Sequence, residues 1–283
     1  MEEIIKSVLL GIVQGLTEFL PVSSSGHLVA MEHFLGFDKP GVLFETLLHL
    51  GTLLALFAYF HVEIVSLAKT FLRWLSSGGD GGHHSADISD NFNKDKKTIV
   101  AIAIGSVPTA LIGILFKDWF EKLFSDVLFV GVALLITSAF LIIGETLSKG
   151  RKTQEKSISV FDALIVGIAQ GVAIAPGISR SGATVSVGLM RGISAENAVK
   201  FSFLLGIPAI IGATLLQSRE ISHLVSIGGQ ELVAYLGGAV SAMLTGYLSI
   251  GLFIRAAKAL KLRWFGTYCA IAGLTVIVLS SFK

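Results

Sequence analysis

Six uninterrupted apolar runs, at about residues 42–60, 97–116, 126–148, 196–217, 231–254 and 264–282, constrain this chain more than any other feature. Each is long enough for a helix to cross a hydrocarbon core, which takes roughly 20 residues. In lipid every backbone N–H and C=O must be satisfied within the protein, so such runs fold as helices and not as open sheet. Two further apolar stretches, 3–36 and 158–190, are broken. The first is interrupted at Pro21-Val22-Ser23-Ser24-Ser25-Gly26, the second at Pro176-Gly177-Ile178-Ser179-Arg180-Ser181-Gly182. Neither piece spans comfortably on its own. Each reads as a pair of short helices that enters, turns and leaves by the same side. Such backbone is tolerated only where it is buried in protein or lines a wet cavity. The expected fold is an all-α polytopic membrane protein, a single integral domain over 1–283.

Composition agrees. Charged residues make up 15% of the chain and hydrophobic ones 53%, with a mean hydropathy of +0.76; soluble domains carry about 25% charged residues. The net charge of +2 is too small to suggest nucleic acid as a partner. Cys269 is the only cysteine and lies in an apolar run, which excludes an intramolecular disulfide and argues against thiol chemistry. Glu2 and Glu3 stand where a signal peptide would carry positive charge, and no small-residue cleavage site follows, so no signal peptide is read.

Charge sets the expected orientation. Lys69, Arg73, Lys94, Lys96, Lys149, Arg151, Lys152, Lys156, Arg255, Lys258, Lys261 and Arg263 fall in alternate connections, while the intervening ones hold only Lys117, Lys122 and Arg219. Positive-inside bias assigns the first group to the cytoplasm. The first broken segment then opens outward and the second toward the cytoplasm, with both termini external. Residues 76–97, with His83-His84, read as a flexible cytoplasmic loop; a solvated loop explains the histidine pair better than a metal site does.

The two breaks resemble each other. Aligning GIVQGLTEFLPVSSSG (11–26) with GIAQGVAIAPGISRSG (167–182) gives identities at Gly11/Gly167, Ile12/Ile168, Gln14/Gln170, Gly15/Gly171, Ser23/Ser179, Ser25/Ser181 and Gly26/Gly182. Each half, about 1–148 and 158–283, reads as one broken hairpin plus three spans. Three is odd, so the second half is expected upside down relative to the first, with the two tips meeting near the midplane. Broken helices at corresponding positions of two halves point to a binding site.

The tips carry the chemistry. Gly177 and Gly182 allow a sharp turn and close approach, and the helix that starts near Ser179 offers free N–H groups to an anion. Arg180 adds a planar fork that matches phosphate oxygens, and Ser179, Ser181 and Thr184 add hydroxyls. A capped helix start with a snorkelling arginine is the plainer alternative, but an arginine inside a break is costly unless it meets an anion. In the first tip Gln14 and Glu18 share a helix face. Glu18 suits a divalent cation or general-base work. His27 suits activation of a serine, protonation of a leaving group or direct attack on phosphorus, with Ser24 or Ser23 as the other nucleophiles. Ser23, Ser24 and Ser25 equally read as N-caps of a helix from about Gly26, with His27 as a satisfied polar residue. Glu45 and His49 form another i, i+4 pair; either Glu45 helps hold a metal or a proton, or the two bond only to each other. Glu145 reads as a helix-interface residue, and Trp74, Trp119 and Trp264 as interfacial anchors. An anion cradle, an arginine, a carboxylate, a histidine and hydroxyls in a membrane cavity suit phosphoryl transfer on a lipid with a phosphate or diphosphate head.

These residues resemble the undecaprenyl-diphosphatase, or bacitracin-resistance, family. Gln14, Glu18, Pro21, Val22, Ser23, Ser24, Ser25, Gly26 and His27 match its first motif. Pro176, Gly177, Ser179, Arg180, Ser181, Gly182 and Thr184 match its second, and Phe44, Glu45, His49, Gly51 and Thr52 a third. Some members have Glu where this chain has Gln14, which shifts a metal or base role onto Glu18. The resemblance implies hydrolysis of undecaprenyl diphosphate to undecaprenyl phosphate and inorganic phosphate, which recycles the carrier for peptidoglycan synthesis and deprives bacitracin of its target. It implies inverted repeats in the bacterial inner membrane, an outward-facing site, and Mg²⁺ or Ca²⁺ held by Glu18, with Gln14 and Glu45 as further candidates. Arg180 would bind phosphate, and His27 or Ser24 would be the nucleophile. A homodimer is compatible with it. A second class of membrane lipid phosphatases is excluded, because Ser186 stands where its motif needs histidine. The competing reading is a secondary transporter or flippase of an anionic lipid or phosphate compound, which would bind without needing the histidine–serine–glutamate set.

Overall fold

The computed structural model describes residues 2–35, 42–76, 86–149, 157–217 and 228–282. The described residues form helices and no strand: α1 (Glu2–Phe19), α2 (Ser24–Leu35), α3 (Val42–Tyr59), α4 (His61–Ser76), α5 (Ala86–Leu115), α6 (Lys117–Leu123), α7 (Val127–Ser148), α8 (Val160–Val172), α9 (Arg180–Met190), α10 (Ala195–Leu216), α11 (Gly229–Lys258) and α12 (Leu262–Ser280). Six of them, α3, α5, α7, α10, α11 and α12, are long and apolar enough to cross a membrane. They correspond one to one to the six apolar runs. The outward faces are apolar, with Leu111, Ile114, Leu128, Leu244, Leu248 and Ile271 more than half exposed, as lipid contact requires.

The two broken stretches are hairpins of short helices, α1–α2 and α8–α9. Each first helix lies along a long helix from the other half of the chain. α1 runs parallel to α11 and α8 parallel to α5, and both contacts are made by glycine against backbone. A methyl on Gly11 would collide with the Gly238 carbonyl, and one on Gly167 with the Gly105 carbonyl. Apolar side chains gain little by leaving lipid for protein, so close backbone approach of this kind supplies much of the association between membrane helices. Hydroxyls add to it: Ser249 donates to Gly15 O at 2.8 Å and Thr109 to Gly167 O at 2.9 Å.

Ion pairs gather on one face of the bundle. Glu63 at the start of α4 meets Lys200 near the start of α10 at 2.9 Å, and Glu196 meets Lys258 at the end of α11 at 2.9 Å. Glu145 near the end of α7 takes Lys149 at 2.6 Å and Arg263 at the start of α12 at 2.8 Å, the interface role expected for it. On the same face Asp162 of α8 pairs with Arg191 just past α9 at 2.8 Å, so the second hairpin enters and leaves by one side. α5 begins at this face, where Asp95 accepts from Ser66 and Thr70 of α4, whereas α11 ends there. Their companions α8 and α1 therefore enter from opposite faces. Between the tips and the ion-pair face lies an aromatic cluster in which Phe203 contacts Phe19, Phe60 and Phe253 at centroid distances of 5.5, 6.0 and 5.9 Å.

Two expectations change. Residues 61–96 do not form one loop. α4 occupies His61–Ser76, with Val62, Val65, Leu72 and Leu75 exposed along one side and Ser66 and Thr70 turned to α5. α5 then begins at Ala86, well before the apolar run at 97, because Asp95 is held by α4 and Lys96 lies over the Trp74 ring at 4.7 Å. α4 and α5 thus take up Ser76 and residues 86–97 of the expected loop, and the rest of it, with His83-His84, lies outside the described residues. α6 was likewise hidden in a connection.

Candidate active site

The two tips touch backbone to backbone. A methyl on Gly26 would stand 3.1 Å from Gly177 Cα, and Ser181 donates to the Leu20 carbonyl at 3.3 Å. Thr137, midway along α7, fixes the second tip: its hydroxyl donates to Gly177 O at 2.9 Å and accepts from Ser179 N at 3.0 Å. Gly177 has φ +88°, a conformation that only glycine adopts without strain, so the turn needs this residue.

The aligned serines do the same work in both tips. Ser179 caps α9 by accepting from Gly182 N at 3.1 Å, and its hydroxyl lies 3.3 Å from that of Ser181. Ser23 accepts from Gly26 N at 3.3 Å and lies 3.3 Å from Ser25 Oγ. The capping role and the cradle are thus one arrangement, since the caps turn both helix starts toward each other. Ser23 adopts φ +69°, which costs a non-glycine residue about 1–2 kcal/mol. Strain of this kind persists where the surroundings over-determine it, and it concentrates at functional sites.

Between the tips stands one carboxylate. Glu18, at the end of α1, is buried and fully engaged. Its Oε1 accepts from Arg180 Nη2 at 3.0 Å, and its Oε2 accepts from Ser24 Oγ at 2.7 Å and Gln14 Nε2 at 3.1 Å. Ser24 and Arg180 occupy the same aligned position in the two tips, and both reach Glu18. Arg180 is 14% exposed at its side chain; its Nη1 is buried with no hydrogen-bond partner and lies against Gly206 of α10. A bare helix surface at Gly206 is what gives the guanidinium room. Thr184 turns away from this centre, bonding Ser202 Oγ at 2.6 Å and Arg180 O at 2.8 Å.

His27 does not bond to Glu18, Ser24 or Arg180. Its Nδ1 meets the carbonyl of strained Ser23 at 2.7 Å and its Nε2 meets Tyr268 Oη at 2.6 Å. His49 enters the centre instead, with Nε2 3.9 Å from Glu18 Oε2, while its Nδ1 is held by the backbone carbonyl of Glu45 at 2.9 Å. The pairing with Glu45 is therefore through backbone, and His49 is the member of that pair that reaches Glu18. Thr137, Gly206 and Tyr268 are the site's neighbours that motif reading did not assign to it. The i, i+4 spacing singled out His49 without saying where it would point.

Among the described residues no three His, Cys, Asp or Glu side chains cluster in a way that would cage a metal ion. The centre does offer oxygen donors to a hard cation: the Glu18 carboxylate and Gln14 Oε1, an amide oxygen buried without a partner. One carboxylate and one amide fit an ion that completes its shell with water and substrate phosphate.

The sequence matches the family described as Bacitracin resistance protein BacA over residues 7–275. The chain belongs to that family. Proteins called undecaprenyl-diphosphatase from Methanosphaera stadtmanae and Carboxydothermus hydrogenoformans are 42% and 40% identical to it. They cover 99% and 98% of this chain, over 99% and 97% of their own lengths. One of that name from Syntrophotalea carbinolica is 42% identical over 97% of this chain and 98% of its own length. Near-complete coverage in both directions puts both tips of this BacA-family protein inside the shared region.

Proposed function

We propose that this multi-pass membrane protein hydrolyses undecaprenyl diphosphate to undecaprenyl phosphate and inorganic phosphate. The observation that carries the reading is the Glu18–Arg180 pair: a buried carboxylate from one tip meets a largely covered arginine from the other, with a serine hydroxyl bonded to the same carboxylate. A transported anion would need the arginine but not the primed serine.

Ser24 is the better placed of the two candidate nucleophiles. Its proton already points at Glu18 Oε2. In the reading favoured here, Ser24 Oγ attacks the terminal phosphorus as its proton passes to Glu18, and the bond to the bridging oxygen breaks. Undecaprenyl phosphate leaves and a phosphoserine remains. Water, giving its proton to His27, then cleaves the phosphoserine, and the serine oxygen recovers its proton from Glu18. Arg180 turns its unpartnered Nη1 and its Glu18-bound Nη2 to the phosphate, whose charge is spread over oxygens that positioned donors stabilise. Ser23, Ser25, Ser179 and Ser181, with the two helix starts, complete the cradle. A Mg²⁺ or Ca²⁺ ion, held by Glu18 and Gln14, with Glu45 as a further candidate, would neutralise diphosphate charge.

We further propose that the chain is built of two inverted repeats, which the matched capping bonds and matched glycine contacts support. Positive-inside bias supports a cytoplasmic ion-pair face for a protein of the inner membrane, with the hairpin carrying Glu18 opening externally. The test is release of inorganic phosphate from undecaprenyl diphosphate by the purified protein in detergent. Release that EDTA abolishes, and that excess Mg²⁺ or Ca²⁺ restores, supports the reading. Lipid bound without release in the presence of either ion would overturn it.

A further inference from the structure

The structure gives His27 a partner that the reaction scheme has not used. A carbonyl oxygen only accepts, so the 2.7 Å contact with Ser23 O puts a proton on His27 Nδ1. In the neutral ring Nε2 is then the basic nitrogen, and Tyr268 Oη, 2.6 Å away, donates to it. The two rings are also parallel within 6° at a centroid distance of 5.6 Å. Tyr268 comes from α12 and is separated from His27 by 241 positions. Its side chain is 47% exposed, so the pair stands open and not in the sealed core.

We propose that Tyr268 is a positioning residue for hydrolysis, holding the basic nitrogen of His27 at the orientation from which it takes the proton of the attacking water. The proposal rests on the assignment of His27 as the base for that water. One hydrogen bond to Nδ1 leaves the ring free to tilt about the Cβ–Cγ bond. A second at the opposite nitrogen, together with the stacked phenol, fixes its plane, while Ser23 O already fixes its tautomer. A second anchor on the reactive atom is easily exchanged: water that takes the place of the phenol hydroxyl at Nε2 inherits the same line of approach. Among the described residues the hydrogen-bond partners of the His27 ring are Ser23 O and Tyr268 Oη, and no acidic or basic side chain is one of them. Glu18 and Arg180 bond to each other, and α7 presents Val130 and Leu134 to this part of α2. The orientation of the ring therefore depends on Ser23 and Tyr268.

Tyr268→Phe keeps the stacked ring and removes only the hydroxyl. The expected result is a fall in kcat of about tenfold or more with KM within about twofold, since misplacement of a catalytic group by about 1 Å costs up to about 10²-fold. In bilayers, ¹⁵N NMR of histidine-labelled protein is expected to keep the Nδ1-protonated form of His27 and to move its Nε2 signal to that of a ring nitrogen without a donor. Adding Tyr268→Phe to His27→Ala is expected to cause no further loss. Wild-type kcat in Tyr268→Phe, or a further loss in the double variant, would overturn the positioning role while leaving His27 in place. An active His27→Ala would overturn the assignment of His27 itself, and the proposal with it.

Discussion

Gly206→Ala tests the position of Arg180 without touching a charge, a donor or an acceptor. A methyl there would fall on the guanidinium, with Nη1 its nearest neighbour. Carbon and nitrogen need about 3.5–4 Å, so the guanidinium must withdraw by about 2 Å. It is the free end of a flexible side chain and can do so, which spares the fold. The Glu18 contact at 3.0 Å cannot survive a shift of that size. Stability should change little, because alanine in a helix gains about 1 kcal/mol over glycine and offsets part of the disturbed ion pair. Activity should not be spared, since displacement of a phosphate donor by that distance is expected to cost about 10²-fold or more in kcat/KM. Gly212→Ala on the same helix is the control, for nothing lies within 4 Å of a methyl there. The assay is phosphate release by both variants beside a melting curve in detergent. Wild-type kcat/KM in folded Gly206→Ala would refute the claim that the guanidinium must stand where the structure puts it.

Other outcomes follow from the same geometry. Ser24→Ala should abolish trapping of radiolabelled phosphate on the protein after an acid quench, while retaining lipid binding; label that persists would exclude Ser24 as nucleophile. Gly11→Leu should separate α1 from α11 and destabilise the protein by about 1–3 kcal/mol, read as a lower midpoint of denaturant unfolding in detergent. Glu63 gives a pH signature outside the spans. Burial alone would raise its carboxyl, but the Lys200 hydrogen bond and charge outweigh this and hold it below the ordinary glutamate range. A depressed carboxyl stabilises the fold above its unfolded value and loses that contribution as pH falls through the folded one. Both partners are partly exposed, so the contribution is below about 1 kcal/mol. Glu63→Gln should lower Tm slightly at pH 7 and not at pH 3; an equal deficit at both would rule out the ion pair as its cause.

Much of the fold was legible because a bilayer leaves few choices: an apolar run of sufficient length becomes a spanning helix. The breaks were legible for the converse reason, since Pro21, Gly177 and the serines have no place inside a span. The capping serines announced both helix starts to within two residues. Glu18 and Arg180 were found as unusual residues in unusual places, but their pairing across 162 positions is a product of the packing of α1 on α11 and α9 on α7. Tyr268 and Gly206 sit in ordinary apolar helices, where tyrosine and glycine carry no signal until a partner is seen. α4 was missed because its alternation of Val62, Val65, Leu72 and Leu75 with polar residues lacks the unbroken apolarity of a span, and the connection was read by its charges alone.

The central claim is that the two tips act as one site, and a double-variant cycle on kcat/KM tests it most directly. Glu18→Gln, Arg180→Ala and the pair of them would be assayed for phosphate release from undecaprenyl diphosphate under saturating Mg²⁺. Groups that act as a unit are strongly non-additive, so the double variant should be no worse than the more damaged single one. Losses that multiply in full would mean that the tips work independently, and would contradict the joined site.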